Sequence, residues 1–91
     1  MLRLTLARLL AQENERSAAI AHLESAVAQD PAYTAAWKEL GRLHHADGRT
    51  RAALSAWRRG IEVAQANGDK QAEKEMTVFV RRLIKGNKKT G

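Results

Sequence analysis

Cysteine is absent, so neither a disulfide framework nor a thiolate metal site can be built from this chain. That absence is compatible with a reducing compartment, and a cytoplasmic location is the expectation. Proline occurs once, at Pro31, and aromatic residues make up only 4% of the chain. No apolar run approaches the roughly 20 residues of a membrane-spanning helix, so no membrane role is expected. Acids are outnumbered, with 10 Asp and Glu against 16 Lys and Arg. The formal net charge of +6 and pI near 10.3 raise acidic peptides and nucleic acid as partners.

What remains is aliphatic, alanine-rich and periodic. The 91 residues suffice for one small domain, 44% of them are hydrophobic, and alanine favours helix. Residues 3–26 recur in outline at 37–60. Leu6-Ala7-x2-Leu10 returns 34 residues later as Leu40-Gly41-x2-His44, and Ala18-Ala19-Ile20-x2-Leu23 returns as Ala52-Ala53-Leu54-x2-Trp57. Ala26-Val27 returns as Gly60-Ile61. Small residues match small and large apolar ones match large, as in an array of one supersecondary unit. Residues 1–10 are amphipathic, Arg-bearing and acid-free, as transit peptides are. Leu6, Ala7, Leu9 and Leu10 nevertheless belong to the repeat and are needed to build the fold.

Apolar stripes at helical spacing predict five antiparallel helices. The first hairpin spans about 2–29, broken at Glu13-Asn14-Glu15, the counterpart of Asp47-Gly48-Arg49. Asn14 and Gly48 share a slot that suits a left-handed helix end. Asp30-Pro31 closes this hairpin. The second hairpin spans about 33–66 and ends at Asn67-Gly68-Asp69, where Gly68 suits a helix end and Asp69 an N-cap. A fifth helix over about 70–85 carries Ala72, Met76, Phe79, Val80, Leu83 and Ile84 on one stripe. It is offset from the 34-residue register by two, so that Met76 takes the place of Leu40. Residues 1–85 read as one domain and 86–91 as a disordered basic tail.

The second copy, Trp37-x2-Leu40-Gly41-x2-His44, then Ala53-x3-Trp57 and Gly60, resembles the tetratricopeptide repeat, whose pattern is W-x2-L-G-x2-Y, A-x3-F and a later proline. His44 replaces the tyrosine, Trp57 the phenylalanine, and Gln65 the closing proline. In the first copy Arg3 and Ala7 replace the tryptophan and the glycine, while Leu6, Leu10, Ala19, Leu23, Ala26 and Pro31 fit. The resemblance covers residues 1 to about 65, and the fifth helix looks like a capping helix. It implies an all-α, right-handed superhelical solenoid fragment. Gly41, Ala7, Ala19 and Ala53 are small where helices of a hairpin cross, and a large side chain at 53 has no room there.

The resemblance also implies a role, that of a protein–protein interaction module or scaffold. The partner's peptide or helix, an acidic segment among the forms it could take, would lie in the concave groove lined by the first helix of each hairpin. The matching positions are Leu4, Arg8, Ala11 and Gln12 in the first copy and Ala35, Lys38, Arg42 and His45 in the second. Lys38 and Arg42 lie four apart on one helical face, and with Arg8 they form a strip able to hold a carboxylate, or else a plain solvated basic face. A lysine–asparagine clamp for a C-terminal carboxylate is not met, since Leu4 and Glu39 occupy its slots and Glu73 falls near a third. Leu4 points to the groove side, and the first helix has no polar cap in front of it. Solenoid ends need one, which implies self-association as a homo-oligomer or an upstream segment.

Chemistry beyond binding has little support. His44 and His45 are adjacent, about 100° apart on a helix, and cannot chelate together. No carboxylate pair has a reason to be buried, no serine has a base placed beside it, and no phosphate-cradling glycine loop exists. No enzyme activity, cofactor or metal is therefore expected. The alternative function is nucleic-acid binding through the basic groups Arg49, Arg51, Arg58, Arg59 and Arg81, Arg82, Lys85, Lys88, Lys89. Stacking on bases wants aromatics between the cations, and only Tyr33 looks free for it.

Overall fold

A computed structural model of the chain describes the backbone of residues 2–90 and the side chains of residues 12–86. Four helices follow in order: α1 (Leu2–Gln29), α2 (Thr34–Ala46), α3 (Thr50–Asn67) and α4 (Lys70–Thr90). Among the described residues there is no strand. The all-α expectation holds, with four helices in place of five.

The missing break is at Glu13-Asn14-Glu15, where α1 runs straight through. Of the three reversals between helices, those after α2 and α3 use glycine. Gly48 and Gly68 have φ of 76° and 73°, and no non-glycine residue among those described has positive φ. A left-handed backbone costs an L-residue about 1–2 kcal/mol and glycine almost nothing. Asn14 therefore stays helical between two glutamates, which are good helix formers. At the other end, the expected tail after residue 85 continues as helix to Thr90. Only Gly86 and Asn87 interrupt an otherwise helix-favouring, lysine-rich run.

The turns behave as their residues dictate. Asp30-Pro31 ends α1, and the Asp30 carboxylate accepts the Ala32 N–H at 3.2 Å. After α2, Gly48 N–H donates to His45 O at 3.0 Å and Arg49 N–H to His44 O at 2.9 Å. After α3, Asp69 N–H donates to Ala64 O at 2.8 Å, while its carboxylate caps α4 by accepting the Ala72 N–H at 3.1 Å. Two further ties brace the ends. Asn67 Nδ2 donates to Ala32 O at 2.9 Å, and Arg16 pairs with Asp47 at 3.0 Å, holding α1 to the α2–α3 turn.

The core has two parts. Ile20 and Val27 of α1 pack with Ala36 and Leu40 of α2 and Ala56 of α3. Ala53, Trp57 and Ala64 of α3 pack with Met76 of α4, flanked by Phe79, Val80 and Leu83. Met76 thus does for α3 what Leu40 does for α1, as the two-residue offset requires. At the α2–α3 crossing, a Cβ on Gly41 would meet the Trp57 indole, a rigid ring with no flexible end to move aside. Gly41→Ala is accordingly expected to destabilise by about 1–3 kcal/mol, although alanine gains roughly 0.5–1 kcal/mol in an unobstructed helix. A urea unfolding midpoint that rises in this variant would refute the close crossing.

Candidate functional site

The α2–α4 seam is the surface on which helix positions converge. On α2, residues 35, 38, 42 and 45 recur at helical spacing, and on α4 residues 72, 75, 79, 82 and 86 do the same. Two depressions lie along this seam. The smaller, about 230 Å³, is bordered by Thr34, Ala35, Lys38, Asp69, Ala72 and Glu75. The larger, about 420 Å³, is bordered by Arg42, His45, Trp57, Phe79, Arg82 and Leu83.

Trp57 and Phe79 form an aromatic floor for the larger depression. Their ring centroids are 5.2 Å apart and tilted by 42°, a favourable aromatic geometry. His45 tilts toward Trp57 from the rim, with centroids 6.0 Å apart. The indole Nε1 donates to Lys38 O at 3.1 Å, which fixes the ring. Trp57 is only 4% exposed, and the depression over it is lined by Phe79 and Leu83 of α4 and by Arg42 and His45 of α2.

Of the predicted groove residues, Ala35, Lys38, Arg42 and His45 do gather on this seam. Gln12 is exposed on α1, and the side chains of Leu4, Arg8 and Ala11 lie outside the described residues. The basic strip is partly neutralised. Lys38 Nζ pairs with Glu75 across the seam at 3.1 Å, and Arg42 forks onto Glu39 one turn back. The hydrogen bond from Arg42 holds the Glu39 carboxyl below its ordinary range; the charges of Arg42 and Lys38 act in the same direction, and partial burial opposes them. The same hydrogen bond raises the Arg42 pKa. Such exposed pairs contribute roughly 0.2–1 kcal/mol each, so they exchange readily for a partner's carboxylate.

Trp57, Phe79, Arg82, Leu83 and Glu75 escaped the sequence reading of the site. Phe79 and Leu83 belong to the apolar stripe of the last helix, and at their buried edges they and Trp57 are core. The signal that finds Glu75, Phe79 and Arg82 is the second face of α4, at i, i+4 and i+7. The histidines diverge as their adjacency demands: His44 is 6% exposed in the core, and His45 sits on the pocket rim. Among the described residues no three His, Asp or Glu gather into a metal-holding group. No helix there is long and apolar enough to cross a membrane.

Comparisons with known proteins agree with this architecture. The family model for the tetratricopeptide repeat matches residues 1–43. A TPR repeat-containing protein of Pseudomonas aeruginosa is 53% identical over 62 residues, which are 68% of this chain and 59% of that protein. The chain thus spans less than two thirds of that curated relative. Among solved structures, a tetratricopeptide repeat domain protein from Salinibacter ruber superposes with a TM-score of 0.74 at 29% identity, covering 90% of this chain and 83% of its own. A protein from Bordetella parapertussis superposes with a TM-score of 0.73 at 41% identity, covering 94% of this chain and 75% of its own.

Proposed function

The chain belongs to the tetratricopeptide repeat family, and from that premise we propose that it is an interaction module holding an extended segment of a partner protein along the α2–α4 seam. The fold generally mediates protein–protein interaction, and members of the family generally serve as scaffolds rather than enzymes. The observation that carries the reading is the 420 Å³ depression with the Trp57–Phe79 floor and the Arg42 and Arg82 rim. Its complement is a large apolar side chain flanked by carboxylates. The apolar group fills the floor, and the acids meet guanidinium groups that bind carboxylates in forked geometry. Lys38 and Ala35 continue the track toward the smaller depression.

Selection from a displayed random peptide library tests this. Binders should be enriched for an aromatic or aliphatic residue beside Asp or Glu. The double reversal Arg42→Glu/Arg82→Glu should weaken them at least tenfold, about 1.4 kcal/mol. Equal binding by the reversed variant overturns the reading. The basic convex side of α3, with Arg51, Arg58 and Arg59 around Leu54 and Ser55, has no aromatic in its lining. The alternative of nucleic-acid binding predicts affinity that falls steeply with salt, which titration of duplex and single-stranded DNA at two salt concentrations would reveal.

A further inference from the structure

The 34-residue repeat allows α1 and α3 to be compared position by position. Ala19, Leu23 and Ala26 of α1 correspond to Ala53, Trp57 and Gly60 of α3. In α3 all three are buried, with Ala53 at 0% and Trp57 at 4% exposure, because α2 crosses at Trp57 through Gly41 and flanks Gly60 through Trp37, while Met76 of α4 closes the other side. In α1 all three are only half-buried. The helix that would cover them is the sequence counterpart of α2, residues 2–12, which carries Leu6, Ala7 and Leu10 where α2 carries Leu40, Gly41 and His44. That segment instead runs straight on from Arg16, which is itself held on the α2–α3 turn by Asp47. At 1.5 Å per residue its 11 residues extend roughly 16 Å past the face they match.

We propose that two copies of the chain exchange these segments, residues 2–12 of each lying across Ala19, Leu23 and Ala26 of the other in a two-fold dimer. Charge supports the pairing. Residues 2–12 carry Arg3 and Arg8 and no acid, while residues 13–30 carry Glu13, Glu15, Glu24 and Asp30 against the single Arg16. The hinge supports it as well. Closing the segment onto its own chain requires a reversal at Glu13-Asn14-Glu15, where Asn14 stands in the slot of the left-handed Gly48. Exchange makes the same contacts with α1 left straight, so the non-glycine penalty of that reversal does not arise. The open form also leaves the α2–α4 seam on each copy untouched, so two binding grooves are carried by one assembly.

The lack of cysteine makes the test direct. Gly41 lies against Trp57, so the repeat places Ala7 against Leu23. Wild-type protein is expected to have twice the 10.1 kDa chain mass by light scattering. The double variant Ala7→Cys/Leu23→Cys, oxidised, is expected to run as a covalent dimer on a non-reducing gel. A cross-linked species of single-chain mass means a closed hairpin and overturns the exchange. A dimer that does not cross-link means another interface and overturns it too, as does a monomer at high concentration. Asn14→Gly, which supplies the residue that reverses the chain at 48, is expected to raise the dimer dissociation constant at least tenfold. An unchanged constant counts against the hinge.

Discussion

Trp57→Ala is expected to lower the unfolding free energy by about 3–5 kcal/mol, the usual range for removing a buried tryptophan. The ring joins every part of the domain that matters for binding. It fills the space that the missing Cβ of Gly41 leaves on α2, it packs on Phe79 of α4, and its Nε1 is bonded to Lys38 O. Alanine would leave a void between three helices that cannot collapse without moving α2. A domain of this size has about 5–15 kcal/mol in total, so the loss is a large share of it. Circular dichroism in a urea series would show the midpoint fall, with Trp37 as an independent fluorescent probe. An unfolding free energy within about 0.5 kcal/mol of wild type would mean that Trp57 is not the keystone of the α2–α3–α4 junction.

Met76→Ala should cost about 2–5 kcal/mol but distribute the loss differently. Met76 is the largest fully buried side chain among those described, at 0% exposure. It lies across Gly60, where an added Cβ would come within 2.5 Å of its Sδ. It docks α4 on α3 and has no part in the α1–α2 cluster. Hydrogen exchange should therefore accelerate in α4 well before α2 and α3 lose protection. Because α4 supplies Phe79 and Arg82, peptide binding should weaken together with α4 protection. Uniform loss across all helices would show that α4 is not a separable unit.

Legibility varied along the chain in a way that follows from range. Gly48, Gly68, Asp69 and Asp30-Pro31 mark their turns because the backbone conformation at each is settled by one or two residues. Gly41 and Ala53 read as crossing points because a missing side chain at a repeat position is itself a statement about a neighbour. The interruption at Glu13-Asn14-Glu15 misled because it matched Asp47-Gly48-Arg49 by position, while only Gly48 can turn left-handed without cost. In the site, Lys38, Arg42 and His45 were found from the groove positions that the family resemblance assigns to α2. Glu75, which neutralises Lys38, and Arg82, which faces Arg42, were not, since they come from a helix two elements away.

By itself, then, the sequence determined the repeat, the all-helical class, the family and which face of each helix is apolar. These rest on period, size and local backbone preference, all of which are local quantities. Only the tertiary structure decided that α1 stays straight, that the α4 second face walls a pocket, and that Trp57 is at once core and floor. Each of those depends on which distant surfaces meet, and on small differences between competing contacts that no single stretch of sequence contains.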